Sequence, residues 1–257
     1  MRRFAWRRAA LAYVPAGLVL YGLMNVAYYD LLGAKRQHPQ HSLYVFDLGG
    51  ITHFSKENQF PAAWSAAEQR RLVTDCYDPY KWDVYWYGAP CSFVMDRLEN
   101  ELRIFGTPAL ASAWREALLS HPIAYLQHRA AFMDTFLLGE NFTIWTQDLN
   151  DAGRLALPDN RGFAALVSVN DWLKPTVLFR IGLWLALCAV VCGVAWRRRE
   201  APAGAFAFAV AGSGVVYVLT FALVGVSADF RYGYWVVLAA LAGGATSTTT
   251  PSLSKKE

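Results

Sequence analysis

The sequence predicts an α-helical integral membrane protein with four transmembrane helices and one α-rich exported domain, which lies between the first helix and the second. Three observations predict this fold class: an apolar run at residues 176–196, three arginines directly after it, and a second long apolar run close to the N-terminus. A hydrophobic content of 55% is too high for an ordinary soluble domain and too low for a chain made only of bilayer spans.

The run at residues 176–196 sets the predicted orientation. Its 21 residues include one charge, Arg180. A helix of that length crosses a hydrocarbon core of about 30 Å. Arg197, Arg198 and Arg199 follow it, and such clusters normally stay on the cytoplasmic side. The chain before Thr176 is therefore expected outside.

The N-terminal region predicts a first span with the same orientation. Residues 1–8 form a cytoplasmic segment with four arginines, and residues 9–29 form the apolar span. The alternative is a cleaved signal peptide. An uncleaved anchor is favoured, because the run is longer than a usual signal core and no A-x-A cleavage site follows it.

Residues 30–175 are expected to form the exported domain. Prolines at helix-opening positions predict helices at 62–73, 109–119 and 123–138, because proline in the first turn loses no hydrogen bond. A short apolar run at 43–48 is interpreted as a strand. In the third helix, apolar residues recur at steps of three and four and predict a stripe that packs in the core or lies on the bilayer surface. These residues are Ile123, Leu126, Ala130, Met133 and Leu137.

The C-terminal part is predicted to cross the membrane twice more. Residues 197–202 form a cytoplasmic loop, 203–226 the third span and 227–231 an external turn. The fourth span, 232–246, is short: 15 residues reach about 22 Å. Residues 247–257 then form a cytoplasmic tail, so both termini are expected in the cytoplasm.

The net charge of +4 is distributed unevenly. Residues 30–175 carry 13 basic against 17 acidic side chains, a net of −4, whereas the remainder carries 11 against 3, a net of +8. The basic character therefore belongs to the membrane flanks. No nucleic-acid partner is predicted.

The cysteines predict one disulfide and no metal site. Cys76 and Cys91 both fall in the exported domain, where an oxidising compartment favours a disulfide over two free thiols. Cys188 and Cys192 are interpreted as small apolar packing residues of the second span. The sequence has no metal, nucleotide or serine-hydrolase motif, so no cofactor and no catalytic residue are predicted.

An aromatic run between residues 77 and 87 is the candidate sugar-binding segment. Aromatic rings cover the apolar faces of sugars, and neighbouring carboxylates accept hydrogen bonds from sugar hydroxyls. The alternative is that the rings fill a small core or lie at the membrane interface. The candidate residues are Tyr77, Tyr80, Trp82, Asp83, Tyr85 and Trp86.

Two further groups of polar residues are candidates for chemistry. Asp47, His53 and Glu57 lie close in sequence around a predicted Gly-Gly turn; acid–base work is one interpretation, and solvated loop residues are the default. In the turn between the last two spans, Arg231 is a candidate ligand for a lipid phosphate. Its alternative role is an ion pair with Asp229.

Four segments resemble the C-terminal part of bacterial polytopic membrane proteins related to GT-C glycosyltransferases. They are Phe46 to Thr52, Cys76 to Trp82, Trp114 with His121 to Arg129, and Asp229 to Tyr232. The resemblance implies a place in the bacterial inner membrane, a periplasmic domain, and a polyprenyl-phosphate sugar as donor. The family's larger N-terminal bundle of spans, with its acidic catalytic residue, has no counterpart here.

Two functional hypotheses follow. The first is a glycan-related membrane protein, either a glycosyltransferase-like enzyme or an accessory part that lacks the catalytic half, with the bilayer and a lipid-linked sugar or glycan as its partners. The second is a non-catalytic structural or assembly subunit that binds other membrane subunits. The residues leave open the donor, the acceptor, the oligomeric state and whether the protein is an enzyme.

Overall fold

The computed structural model describes residues 5–34, 37–86, 88–139 and 161–248, with side chains from residue 11 onward. Every regular element in these ranges is a helix, which confirms the all-helical fold class; the β-structure seen there is one isolated bridge. The described α-helices are α1 (Ala5–Asn25), α2 (Gln40–Ser55), α3 (Ala66–Thr74), α4 (Phe93–Met95), α5 (Pro108–Ser120), α6 (Pro122–Leu138), α7 (Arg161–Leu173), α8 (Ile181–Trp196), α9 (Pro202–Val224) and α10 (Tyr234–Thr248).

The chain divides into two units, Met1–Pro39 and Gln40–Glu257. The first contains α1, which continues as a π-helical turn over Val26–Leu31. The stretch Leu11–Leu31 has the length and composition of a bilayer span, and none of it is buried. The same test is met by α9, whereas α8 is equally apolar but has only 16 residues.

Within the second unit, α8, α9 and α10 pack against one another through small residues. Gly214 of α9 is the point of closest approach, because a Cβ atom there would lie 2.8 Å from Ala239 and 3.1 Å from the sulfur of Cys188. Ala207 and Ala211 are also fully buried. Small residues allow helix backbones to come close together, which is typical of helices packed in lipid.

The outer surface of this bundle is formed by large apolar side chains. They include Leu187, Val190, Phe206, Val216, Leu219, Leu223, Leu238 and Leu241, each at least 40% exposed. A water-soluble bundle shows the reverse pattern, with its large apolar residues inside. The arrangement is therefore the one expected of helices surrounded by hydrocarbon.

The helices between residues 40 and 139 form a second layer around α2, which packs against α3, α5 and α6. From Val45 to Thr52 every α2 residue is buried. The main core includes Leu48, Leu72, Leu98 and Leu110. Cys76 and Cys91 form a disulfide within this core, as predicted.

Helix α6 joins the two layers, because its two halves lie in different cores. Ala124 near its start packs in the α2 core, whereas Phe132 and Phe136 pack with α8 and α9. Phe136 stacks on Phe221 of α9, with ring centroids 4.7 Å apart. The C-terminal half of α6 is thereby fixed to one end of the apolar bundle.

Several local predictions need correction. The predicted strand at 43–48 lies inside α2, whose continuous burial removes the periodicity that distinguishes a buried helix from a strand. The helix predicted from residue 62 begins at Ala66, where Ser65 and Glu68 form a capping box. The second predicted span is interrupted at Arg180, between a 3₁₀ turn at Val177–Phe179 and α8.

In the first half of the predicted α6 stripe, the alternative of packing in the core is wrong, whereas a place on the bilayer surface stays a prediction. Ile123 and Leu126 are 72% and 65% exposed, and Ala130 is exposed as well. The buried face instead carries Ala124, His128, Phe132 and Phe136, at steps of four. A count of apolar residues missed this face because a histidine lies in its middle. The helices at 108–120 and 122–138 agree with the prediction to within a residue or two.

The disulfide is expected to stabilise the α2 layer. In the chain-entropy model, a closed loop of 15 residues contributes about 3 kcal/mol to the free energy of unfolding. We expect the double substitution C76S/C91S to lower the thermal midpoint in detergent, and reductant to lower that of the unsubstituted protein similarly. Reductant should leave the double variant unchanged. A midpoint insensitive to both changes would refute the prediction.

Candidate functional site

An isolated antiparallel bridge joins the aromatic run to the loop that follows α9. Lys81 pairs with Ser227. The amide of Trp82 donates to the carbonyl of Val226 at 3.0 Å, and the amide of Ala228 donates to the carbonyl of Tyr80 at 2.7 Å. The predicted sugar-binding run and the predicted phosphate ligand Arg231 are far apart in sequence. The bridge brings them to one place, called here the corner: residues 80–86 and 225–231.

The aromatic run is divided between the core and this surface. Tyr85 is fully buried and packs near Phe60, with its hydroxyl against Gly49. Tyr77 points inward, and its hydroxyl lies 3.0 Å from Nδ1 of His128. Burial raises the pKa of both phenols, so both stay protonated. Tyr77 and Tyr85 therefore belong to the core and are not part of the candidate sugar-binding surface.

Four of the predicted sugar-binding residues remain at the surface. Trp82 and Trp86 meet edge to face, with ring centroids 5.2 Å apart, and Trp86 is 40% exposed. Asp83 is exposed between them in sequence, and Tyr80 is half-buried. The corner thus presents aromatic rings together with a carboxylate. Tyr87, the last aromatic residue of the run, lies outside the described residues.

Arg231 forms the ion pair that was its alternative role. Oδ2 of Asp229 accepts from Nε of Arg231 at 3.0 Å and from Nη2 at 2.8 Å, and Oδ1 accepts from the Arg231 amide. These bonds and the opposite charge raise the pKa of Arg231. The arginine side chain is 61% exposed, whereas that of Asp229 is 11% exposed. The guanidinium is therefore oriented by Asp229 and still accessible from outside.

A fully buried polar cluster lies below the corner, centred on Asp47 of α2. Its Oδ1 accepts hydrogen bonds from Nη2 of Arg129 and, at 3.1 Å, from Nε2 of His128; its Oδ2 accepts from the indole N–H of Trp114 at 2.7 Å. Asp47 and His128 have no exposed surface, and Arg129 is 5% exposed. Helices α2, α5 and α6 thus each contribute a polar side chain to one network.

The hydrogen bonds of the cluster define its protonation. Asp47 receives only donors, so Nε2 of His128 carries a hydrogen, and Nδ1 accepts from the hydroxyl of Tyr77. Burial lowers the pKa of His128, against the opposing effect of Asp47. His128 is therefore a neutral imidazole held in one tautomer between a carboxylate and a phenol.

Arg129 extends the cluster to the end of α9. Its Nη1 donates to the carbonyl of Gly225 at 2.7 Å, at the residue that ends the helix. The ring of Phe132 lies where a side chain on Gly225 would be, so only glycine fits there. Gly225 begins the loop that forms the bridge, and the buried cluster therefore positions the corner.

The predicted Gly-Gly turn is a close-packing site inside α2. A side chain on Gly49 would overlap Tyr85, and one on Gly50 would overlap the imidazole of His128. The structure also separates the residues grouped as Asp47, His53 and Glu57. His53 donates through Nδ1 to the carbonyl of Val73 at 3.2 Å, and Glu57 is exposed. Asp47 is a buried ion partner, which corrects its default reading as a solvated loop residue.

Residues from three of the four segments that the sequence analysis singled out meet in this cluster. Asp47, Tyr77 and the pair His128–Arg129 come from different segments, and Trp114 opens the third one. The fourth segment, Asp229 to Tyr232, lies at the corner. The hydrogen bonds of the cluster join residues that are 51 to 82 positions apart in the chain, so sequence spacing does not predict that these residues share one site.

No protein-family model, no curated protein and no solved structure matches the chain. Among the described residues, no group of three or more histidine, cysteine, aspartate or glutamate side chains could hold a metal ion.

Removal of the Asp47 charge is expected to destabilise the fold strongly. In D47N the guanidinium of Arg129 remains buried without its counter-ion, which costs about 3–5 kcal/mol. Denaturant unfolding in detergent micelles measures the change. The matched control is D134N, the same substitution at an exposed position of α6, which should change the free energy of unfolding by less than about 0.5 kcal/mol. Equal effects of the two substitutions would contradict the role of the ion pair.

The neutral state of His128 predicts a pH dependence. Its folded pKa is below the value of about 6.5 for an exposed histidine, so the unfolded chain takes up a proton first as the pH falls. The stability from His128 is complete above about pH 6.5 and decreases as the pH falls toward the folded pKa. We expect the thermal midpoint to fall more steeply from pH 7 to 5 in the unsubstituted protein than in H128Q. Parallel pH profiles would exclude this linkage. The pH profile of H53Q provides a comparison, because His53 is a half-buried histidine whose pKa is also lowered by burial.

Proposed function

We propose that the chain is a bacterial inner-membrane protein that binds a polyprenyl-phosphate-linked sugar or glycan at the corner. In this proposal Trp82 and Trp86 contact the sugar, Asp83 accepts from its hydroxyls, and Arg231 binds the phosphate. The observation that carries the proposal is the bridge between Lys81 and Ser227, which joins the backbone of the aromatic run to the loop that carries the oriented guanidinium.

The membrane topology that we propose has four spans, both termini in the cytoplasm, and the layer of residues 40–139 in the periplasm. Large apolar side chains on the outside of the α8–α10 bundle support it. The orientation follows from Arg197–Arg199 at the turn between α8 and α9, with the corner at the opposite end of α9. Nη1 of Arg198 also donates to the carbonyl of Ser247, so α10 returns to the arginine end. This supports a fourth crossing despite its 15 residues.

The chemistry of the corner suits a ligand with a sugar and a phosphate. Indole rings cover the C–H faces of a pyranose, and a carboxylate accepts its hydroxyls. A guanidinium binds phosphate by charge-assisted hydrogen bonds, and Asp229 holds the Arg231 guanidinium ready for this. The proposal assigns binding; no residue is assigned to a transfer step.

Binding should be tested with purified protein in nanodiscs and a set of polyprenyl-phosphate sugars, by native mass spectrometry. R231Q should weaken binding at least about tenfold, since a hydrogen bond to a charged group contributes about 1.5–3 kcal/mol. W86A should weaken it about threefold or more, because an aromatic contact contributes about 0.5–1.5 kcal/mol.

The matched controls change the same residue types elsewhere. Arg115 is exposed on α5, and Trp196 is 51% exposed at the arginine end of α8. R115Q and W196A should bind as the unsubstituted protein does. Absence of binding to every lipid-linked sugar, or equal losses in the controls, would overturn the proposal.

A structural or assembly subunit is the second candidate, and one observation favours it. Leu119, Ile123 and Leu126 surround the junction of α5 and α6 and are 80%, 72% and 65% exposed. Ile123 and Leu126 lie on the half of α6 that does not pack on the bundle, and Leu119 lies near the end of α5. Cross-linking from a photoreactive residue at position 123 in intact cells tests for a protein partner, with Asp134 as the control position on the same helix.

A further inference from the structure

Helix α7 has an apolar sector that is exposed in the described part of the second unit. Leu166, Val169 and Trp172 are 64%, 52% and 75% exposed. They follow one another at steps of three and so cover a sector about 120° wide. These three apolar side chains of α7 therefore face outward.

The rest of α7 is divided into two other sectors. Asn170 is buried, and Phe163 and Val167 are half-buried on the same side, so this sector packs on protein. Ser168 and Asp171 are exposed and form a polar sector. A helix with one packed, one polar and one uncovered apolar sector lies at a boundary between protein, water and a third medium.

The third medium is indicated by the chain that follows. After Trp172 the exposed apolar residues continue with Val177 and Leu178, and then with Leu187 and Val190 on α8. Residues 179–185, between these two groups, are buried or half-buried, so exposed apolar residues lie on both sides of the start of α8. A bilayer around the bundle would cover both groups.

The position of α8 indicates which side of the bilayer is involved. A side chain on Gly233 would meet Ile181, the first residue of α8, so α8 begins at the corner end of the bundle. α7 directly precedes that end. Lys174 follows its last turn, where a long cationic side chain can extend to lipid phosphates.

We propose that α7 is an interfacial helix, whose Leu166–Val169–Trp172 sector lies in the outer-leaflet boundary between headgroups and acyl chains. The inference rests on the proposed four-span topology. Amphipathic helices of this kind bury their apolar sector about 5–10 Å into that boundary, and tryptophan is enriched there. The helix would fix the depth of α8 and thereby hold the corner at the level of the lipid phosphates.

Electron paramagnetic resonance in nanodiscs tests the proposal. A nitroxide is attached at V169C, at S168C as the neighbouring polar-sector control, and at V216C on the exposed side of α9. The background is C188A/C192A, because those two cysteines are free while Cys76 and Cys91 are paired. Power saturation compares collisions with oxygen, which concentrates in lipid, and with a water-soluble nickel complex.

We expect the V169C label to favour oxygen, at a depth of about 5–10 Å below the phosphates. The S168C label should favour the nickel complex, and the V216C label should lie deeper than both. A V169C label that favours nickel, or that is shielded from both reagents by a protein, would overturn the inference. A V216C label in water would instead overturn the span topology, so the two failures are distinguishable.

Discussion

The buried ion pair between Asp47 and Arg129 is the contact on which the arrangement of the second unit depends. Two charges removed from water are tolerated only where further hydrogen bonds satisfy them. Here the indole of Trp114 and the imidazole of His128 serve the carboxylate, and the carbonyl of Gly225 serves the guanidinium. These partners come from α5, α6 and the end of α9, so the pair forms only when all of these elements are in place. A purely apolar contact would accept small shifts of register, whereas these directional bonds do not.

This constraint determines where the corner lies. The carbonyl of Gly225 is held by Arg129, and the next residues of the loop pair with the backbone of Tyr80 and Trp82. Asp229 and Arg231 follow within a few residues. Their position is therefore set by two contacts of this loop, the hydrogen bond from Arg129 and the bridge to the aromatic run. A surface that recognises both a phosphate and a sugar needs this rigidity, because each contact is directional.

The sequence predicted the features that arise from local chemistry. Proline at the first turn located α5 and α6, and the shared exported segment of Cys76 and Cys91 predicted their disulfide. The predominantly helical class and the approximate places of the apolar helices followed from composition and length, although α8 begins later than predicted. How the four spans and the exported domain are arranged about a bilayer stays a prediction.

The features that sequence reasoning missed arise from packing between distant segments. Gly49 and Gly50 favoured a turn because glycine is common in turns, yet here they allow Tyr85 and His128 to contact the backbone of α2. The buried face of α6 differs from the one that its apolar residues indicate, because His128 and Arg129 count as polar although Asp47 satisfies both. Hydrophobic periodicity finds a core made of apolar side chains, and it does not find one in which a charge network replaces part of that core. A helix with polar residues at steps of four inside an otherwise apolar face is the signal that would have indicated such a network.

The same network limits what the second unit can do chemically. A catalytic carboxylate must reach its substrate, but Asp47 is fully buried and Asp229 is occupied by Arg231. At the corner this leaves Asp83 as the exposed carboxylate among the described residues. A single carboxylate beside aromatic rings is sufficient to orient a sugar by its hydroxyls, whereas hydrolysis or transfer by a pair of carboxylates needs a second one nearby. Among its described residues, the corner therefore has the chemical groups of a binding surface, which is why we propose binding there and assign no residue to a transfer step.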